Sequence, residues 1–188
     1  MYHDFKSETA IREALVKRHP RGSFRLATKM PTMFLKKKED QQRIFEQQLE
    51  NCGVSYFDYY LLHNLGVSHY QIAQKLDSFG FIQKMKEEGK IRNIGFSYHD
   101  NAELLDQILT EHPDVDFVQL QLNYLDWDNQ SIQSEKCYRV SAKHGKPVIV
   151  MEPVKGGTLA SLPPEAAGIL RKAAPDMSVP SWAIRFAA

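Results

Sequence analysis

The segment FVQLQLNY, residues 117–124, alternates apolar and polar side chains with the two-residue period of a β-strand. Its two faces carry different chemistry: Val118, Leu120 and Leu122 on one, and Gln119, Gln121 and Asn123 on the other. A strand of a doubly wound sheet is covered by helices on both sides and needs two apolar faces. A barrel strand packs one face against helices and directs the other inward. The alternation therefore favours a barrel, with a polar edge strand as the alternative.

Predicted strands and helices alternate along the rest of the chain. Four more runs rich in β-branched and aromatic residues predict strands: FRLATK (24–29), YFDYYLLH (56–63), IRNIGFS (91–97) and PVIVME (147–152). Helical periodicity predicts helices at residues 7–17, 39–52, 68–88, 101–111, 131–144, 164–173 and 179–188. Strands that alternate with helices pair in parallel, with the helices covering the sheet. We therefore predict an α/β fold in one domain, residues 1–188. It is an incomplete (β/α)8 barrel of the TIM type, with about five of the eight strands of a closed barrel.

The composition excludes several classes of partner. The 188 residues are 43% hydrophobic and carry a formal net charge of +1, so no basic patch favours nucleic acid or an anionic membrane. No apolar run reaches the roughly 20 residues of a membrane span, and the N-terminus lacks the regions of a signal peptide. Cys52 and Cys137 are isolated, with no CxxC pair for zinc. We expect a cytoplasmic protein with reduced cysteines and no metal.

Polar side chains stand at the ends of the predicted strands. Lys29 ends the first strand, His63 the second and Ser97 the third, while Gln121 and Glu152 lie at the ends of the last two. In a barrel of parallel strands these ends meet at one rim, where active sites are built. A single histidine in such a place is more often structural than catalytic. The other polar residues at the same rim strengthen the functional interpretation.

Six short motifs occur in an order that resembles the aldo-keto reductases: MYHDFKSE, LATK, DYYLLH, IGFS, FVQLQLNY and VMEPVKGG. The resemblance runs from Tyr2 to the end of the chain, and the ordered set is more specific than any one motif. FSYHD and MEPVKGG resemble a bacterial subgroup whose longer members carry a C-terminal iron–sulfur module, whose cysteines this sequence lacks. The resemblance implies an NAD(P)H-dependent oxidoreductase that reduces the carbonyl of a small molecule to an alcohol.

The resemblance also implies three catalytic residues. Tyr2 matches the phenol that donates a proton to the carbonyl oxygen. Lys29 matches the ammonium that stabilises the phenolate and so lowers the pKa of the tyrosine. His63 matches an imidazole that orients the carbonyl and shares in proton transfer.

The cofactor positions of the family match less evenly. Ser97 and Gln119 match the residues that bind the nicotinamide amide, but Tyr98 stands where the family usually has Asn. Met151 takes the position of an aromatic ring that stacks on the nicotinamide, where a thioether packs less rigidly.

The segment from Glu152 to Thr158 matches the loop that wraps the cofactor diphosphate. Gly156 and Gly157 would let the backbone approach phosphate closely, although a GG pair taken alone more often marks an ordinary turn. Glu152 is unfavourable beside a phosphate unless its carboxylate points away. NADPH as the cofactor is implied by the family alone, because the segment that binds the 2′-phosphate has no counterpart here.

The chain departs from the family pattern at both ends, which we interpret as truncation. The family has an Asp a few residues before the tyrosine, two earlier strands and an eighth strand, none of which match here. We therefore expect impaired turnover, and a homo-oligomer that covers the open edges of the sheet. A catalytically inactive binding or regulatory domain is the alternative. A metal-dependent hydrolase is disfavoured, because the seven histidines form no HxH or HExxH pair.

Overall fold

The structure, a computed structural model, describes Asp4 and residues 6–188. Among these residues the strands form one parallel sheet in the order β1-β2-β3-β4-β5. They span β1 (Ala27–Met30), β2 (Phe57–Leu65), β3 (Ile91–Tyr98), β4 (Phe117–Gln121) and β5 (Val148–Met151). The order never reverses, so successive right-handed crossovers place their helices on the same side of the sheet. This is the arrangement of a barrel, which confirms the predicted α/β class.

The helices agree closely with the sequence pattern. They are α1 (Ser7–Ile11, continued by a wider turn over Arg12–Val16), α2 (Glu39–Cys52), α3 (Val67–Leu76), α4 (Ser78–Glu87), α5 (Ala102–Glu111), α6 (Ser134–Lys143), α7 (Pro164–Ala173) and α8 (Val179–Ala187). Short 3-10 turns occur at Arg21–Ser23, Thr32–Phe34 and Lys155–Ala160. No helix of the described residues has the length and apolar character to cross a membrane.

Two predicted helices were wrong in their extent. The single helix expected over residues 68–88 is divided between α3 and α4 at Asp77, whose φ of 56° lies in the left-handed region. Asp tolerates this region better than most residues, and periodicity does not reveal such a break. The helix expected from residue 131 begins only at Ser134, because the Asn129 side chain accepts the backbone N–H groups of Ser131 and Ile132 and holds them in a turn.

The hydrophobic core lies between the outer face of the sheet and the helices. Its members from the strands include Tyr60, Leu62, Phe96, Val118 and Leu120, each at most 2% exposed. Facing them from the helices are Phe45, Ile82, Leu105 and Ile108, all fully buried. Burial of each such side chain contributes about 1.5–3 kcal/mol. This layer therefore fixes the positions of the strands and of the polar ends described below.

The inner face of the sheet is different in character. In the sheet register, Lys29 pairs with Leu61, and Leu61 pairs with Gly95. Two residues nearer the carboxyl ends, Ser97 pairs with Gln119. A Cβ at Gly95 would lie 2.4 Å from the Phe117 carbonyl oxygen, so only glycine lets β3 approach β4 here. The inner face therefore has an apolar floor and a polar rim, as the alternation in residues 117–124 predicts.

Asp58 organises the opposite, amino-terminal end of the sheet. Its carboxylate is 1% exposed and accepts hydrogen bonds from Arg21 Nη2 at 2.7 Å, Arg92 Nη1 at 3.0 Å and the Leu26 N–H at 2.9 Å. The guanidinium groups of Arg21 and Arg92 lie 3.9 and 4.3 Å from the centre of the Tyr56 ring. Burial disfavours the charge on Asp58, but these hydrogen bonds and cations outweigh it and lower the pKa. We infer that this cluster stabilises the sheet.

Candidate active site

Lys29 and His63 lie on the inner face at the carboxyl ends of β1 and β2. Lys29 pairs in register with Leu61, and His63 follows two residues later on the same face. Both side chains are half-buried. Burial lowers the pKa of Lys29. Burial, followed by the positive charge of Lys29, lowers the pKa of His63 to about 4, so the imidazole is neutral at neutral pH. The two side chains are therefore close enough to interact electrostatically.

Two further histidines act on His63 through their charge. His99 follows β3, and burial, followed by the charge of Lys29, lowers its pKa. His69 lies with Nδ1 2.6 Å from the Asn64 carbonyl oxygen, and both histidines help to lower the pKa of His63. Sequence reasoning missed His99. The two-residue period of the strand could have indicated it, because His99 is two residues after Ser97 and so continues the same face.

A cavity of about 300 Å³ opens beside Lys29 and His63. Its apolar wall includes Pro31, Phe34 and Ile44, from the segment after β1 and from α2. Polar and charged side chains, among them Glu8, Arg43 and Gln48, form the rest of its lining. The volume is at the lower end of the range for small-molecule sites. The cavity is thus a candidate place for a small substrate next to the two basic side chains.

Ser97 and Gln119 provide polar groups beside the same rim. Ser97 is fully buried, and its Oγ accepts the Asn64 N–H at 2.8 Å, which leaves the hydroxyl proton to be donated. The Gln119 Oε1 is buried without a hydrogen-bond partner among the described residues. A cavity of about 230 Å³ reaches from Gln119 to Lys29. A buried acceptor and a hydroxyl on paired strands fit a ligand amide, which both donates and accepts hydrogen bonds.

Tyr98 and Met151 offer little to such a ligand. Tyr98 is 2% exposed on the outer face, and its hydroxyl donates to the Asn101 carbonyl oxygen at 2.6 Å. It therefore does not replace the polar contact that an Asn in its place would make in the family. Met151 ends β5, pairs in register with Gln121, and remains partly exposed. A thioether there can pack on a flat ring but does not stack rigidly.

The loop after β5 turns tightly at two glycines. Gly156 and Gly157 have φ of 59° and 96°, and both are exposed, so a phosphate can approach their backbone closely. The Gly157 N–H already donates to the Val154 carbonyl oxygen at 3.1 Å, which closes the turn. The Glu152 Oε2, however, lies 3.8 Å from the Cβ position of Gly156. The residues thus fit a dinucleotide cofactor in shape, while the carboxylate of Glu152 opposes its charge.

A buried polar network ties this loop to the end of β4. Asp126 is 1% exposed and accepts hydrogen bonds from Gln121 Nε2 at 2.7 Å and from Asn123 Nδ2 at 2.8 Å. Its other oxygen forms a short ion pair with Lys155 Nζ. Burial alone would raise the pKa of Asp126, but Lys155 and the two amides outweigh it and lower that pKa. Gln121, Asn123, Asp126 and Lys155 are called the Asp126 network below. Asp126 and Lys155 were not predicted from the sequence as site residues.

The described structure thus places the predicted residues in two groups at one end of the sheet. Lys29, His63, Ser97 and Gln119 lie around the rim formed by β1 to β4. The second group follows β5 and its loop, and comprises Met151, Glu152, Gly156 and Gly157. Tyr2 lies outside the described residues. Among the residues that are described, no cluster of three His, Cys, Asp or Glu side chains is arranged to hold a metal ion.

A parallel α/β sheet with a polar rim at the carboxyl ends of its strands is the architecture of a barrel enzyme. Comparison with known proteins defines it further. The family model "Aldo/keto reductase family" matches residues 1–180. A curated aldo-keto reductase of Mycolicibacterium vanbaalenii is 31% identical over 160 residues, which cover 85% of this chain and 54% of that protein. The chain therefore belongs to the aldo/keto reductase family.

Solved structures share the fold at lower identity. Aldo-keto reductase AKR11C1 from Bacillus halodurans, in its holo form, matches with a TM-score of 0.70 and 23% identity over 94% of this chain and 62% of its own. An aldo-keto reductase from Klebsiella pneumoniae in complex with NADPH matches with a TM-score of 0.65 and 20% identity, over 92% and 58%. The chain thus spans between half and two thirds of the length of these relatives.

Proposed function

We propose that the rim formed by β1 to β4 reduces the carbonyl of a small molecule to an alcohol with NADPH. The observation that carries this proposal is the pair of basic side chains, Lys29 and His63, beside a cavity of about 300 Å³. Nearby lies the buried oxygen of Gln119, which has no hydrogen-bond partner within the described part of the chain. Membership of the aldo/keto reductase family supports the reaction. The NADPH-bound relative from Klebsiella pneumoniae supports the choice of cofactor.

Each side chain at the rim has a distinct task in this reaction. His63 is neutral at neutral pH and donates one ring N–H to the carbonyl oxygen, which holds the substrate and polarises it. Tyr2 is the proton donor that the family resemblance assigns. The ammonium of Lys29 lowers the pKa of that phenol and so eases loss of its proton. When bound, the reduced nicotinamide supplies the hydride.

The cofactor is held by groups of two kinds. The Gln119 Oε1 accepts from the nicotinamide amide and the Ser97 hydroxyl donates to it, while Met151 packs against the ring. Gly156 and Gly157 approach the diphosphate with their backbone. Two features weaken cofactor binding. Tyr98 does not supply the polar contact of an Asn, and the carboxylate of Glu152 lies close to Gly156.

We also propose that the 188-residue chain is slow by itself. The sheet has five strands in the described residues, so its rim encloses the substrate on one side only. A misplacement of about 1 Å at a reacting centre can cost roughly a hundredfold in rate. The test must therefore detect rare turnovers rather than rely on a spectrophotometric rate.

Transfer of deuterium from the cofactor provides such a test. The protein is incubated with 4-nitrobenzaldehyde and NADPH that carries deuterium at the nicotinamide C4, and the alcohol is analysed by mass spectrometry. We expect a slowly formed alcohol with one deuterium at the former carbonyl carbon, lost in Lys29→Met and Tyr2→Phe but kept in the exposed control Lys36→Met. NADPH binding without any transfer would favour the inactive binding domain instead. Rapid turnover abolished by Tyr2→Phe would contradict the proposed impairment.

A further inference from the structure

The side chain of Lys155 is directed away from the loop that carries it. Its Nζ forms the ion pair with Asp126, and Asp126 is 1% exposed. Lys155 is the basic residue next to Gly156, so the sequence alone would suggest that it contacts the cofactor phosphates. In the structure its positive charge is instead neutralised by a buried carboxylate.

The loop has an unusual backbone conformation at two residues. Glu152 and Lys155 have φ of 57° and 48°. These are left-handed values that residues other than Gly, Asn and Asp seldom adopt. Such conformations persist only where the surroundings hold them. The surroundings here are backbone hydrogen bonds within the loop, such as Lys155 N–H to the Glu152 carbonyl oxygen at 3.0 Å, and the Asp126 network, in which Asn123 Nδ2 also donates to the Glu152 carbonyl oxygen at 3.1 Å. Both strained positions are therefore tied to the end of β4.

We propose that Asp126 and Lys155 are positioning residues, whose ion pair fixes the loop after β5 in the shape that binds the cofactor diphosphate. This inference rests on the proposed function. Lys155 holds the glycine turn through Asp126, and the phosphates are bound by the backbone of that turn. The alternative is that Lys155 contacts phosphate directly and its pairing with Asp126 competes with the cofactor.

Substitution at Asp126 separates the two because they predict opposite signs. Asp126→Asn keeps the shape of the side chain and removes the charge that binds Lys155. If the ion pair positions the loop, the variant loses affinity for NADPH and for ADP by on the order of tenfold, as when outer-shell partners of a metal site are removed. If Lys155 contacts phosphate directly, the same variant frees its charge, and the affinity rises. Lys155→Met weakens nucleotide binding in both cases, whereas Lys155→Arg keeps the positive charge and retains the wild-type affinity.

Ligands with and without the diphosphate provide a second control. Affinities are measured by fluorescence titration for NADPH, for ADP, and for reduced nicotinamide mononucleotide, which has one phosphate and no diphosphate. We expect Asp126→Asn and Lys155→Met each to weaken the binding of NADPH and of ADP, and the double variant to weaken it no more than either single variant. The affinity for reduced nicotinamide mononucleotide should change by less than twofold. Lys172→Met, on exposed α7, is the matched control for loss of a lysine and should change none of the three.

Limited trypsin digestion tests the ion pair without any ligand. We expect cleavage after Lys155 to be at least tenfold faster in Asp126→Asn than in the wild type, with cleavage after Lys172 unchanged. An unchanged rate after Lys155, or tighter nucleotide binding by Asp126→Asn, would overturn the inference. Should Asp126→Asn not fold, Lys155→Met, at a partly exposed position, decides by hydrogen exchange of the loop without ligand: faster exchange supports the positioning role, and unchanged exchange contradicts it. Wild-type protein that binds none of the three ligands would contradict the proposed function. Wild-type binding that all variants share would contradict only the positioning role.

Discussion

At the scale of single residues, the electrostatics of His63 decide what the rim can do. A neutral imidazole can donate a hydrogen bond to a carbonyl oxygen and accept one elsewhere, whereas an imidazolium can only donate. Burial and the charge of Lys29 keep His63 neutral down to a pH of about 4. We therefore expect substrate binding at His63 to be insensitive to pH over the range where most histidines titrate.

Titration of His63 by NMR tests this directly. We expect a midpoint pKa of about 4 in the wild type, and a higher midpoint in Lys29→Met, still below the ordinary value of about 6.5 because burial remains. Because the unfolded chain binds this proton between about pH 6.5 and 4 and the folded chain does not, His63 lowers the free energy of unfolding as the pH falls through that window. Lys36→Met serves as the control. A wild-type midpoint near 6.5 would contradict the described environment.

Glu152 is the residue that opposes cofactor binding most directly. Its Oε2 lies 3.8 Å from the Cβ position of Gly156, where a phosphate would approach. We expect Glu152→Gln to bind NADPH about three- to tenfold more tightly, since removing one exposed like charge is worth roughly 1 kcal/mol. Fluorescence titration measures the change, and Glu165→Gln on α7 controls for net charge. Weaker binding by Glu152→Gln would mean that the carboxylate points away from the phosphates or binds another part of the cofactor.

At the scale of elements, the Asp58 cluster holds the amino-terminal ends of β1 to β3 together. We expect Asp58→Asn to lower the free energy of unfolding by about 3 kcal/mol, because it leaves the charge of Arg21 without its carboxylate. The remaining partners of Arg21 are the neutral carbonyl oxygens of Phe24 and Tyr56. Urea denaturation at pH 7 measures the loss. Asp106→Asn, which removes a surface partner of Lys143 and His144, is the control and should destabilise the protein much less.

The pH dependence of the same variant gives a second test. The pKa of Asp58 is lowered in the folded chain, so its contribution is present above the unfolded pKa of about 3.9 and is lost as the pH falls through the folded value. The difference in stability between wild type and Asp58→Asn should therefore shrink on acidification below about pH 4. A difference that is constant with pH would show that the carboxylate charge does not stabilise the fold.

The sequence predicted elements better than it predicted the contacts between them. Alternation in residues 117–124 predicted an inner and an outer face, because side-chain direction in a strand depends only on position. The break at Asp77 was missed because one left-handed residue leaves hydrophobic periodicity on both sides intact. The Asp126 network was missed because Asp126 and Lys155 are 29 residues apart and meet only once β4 and β5 are paired. His63 was found from its place at the end of a predicted strand and from the family motifs, while the effect of Lys29 on its pKa required the structure.

At the scale of the whole molecule, the sheet of the described residues has two open edges. β1 pairs only with β2, and β5 only with β4, whose pairing leaves all four residues of β5 partly exposed. Open strand edges and an exposed inner face favour association with another chain. We therefore expect the isolated 188-residue protein to be at least dimeric in sedimentation-velocity experiments. A single monomeric species across the concentration range would contradict this expectation.

In the proposed function, one cofactor and one substrate are surrounded by Lys29, His63, Ser97, Gln119 and the Gly156–Gly157 turn. A crystal structure of the protein with NADP⁺ bound tests this arrangement directly. We predict that the nicotinamide amide lies within hydrogen-bond distance of Ser97 Oγ and Gln119 Oε1, and that the diphosphate lies against the glycine turn. A cofactor bound elsewhere, or the side chains of Lys29 and His63 on different surfaces, would contradict the account.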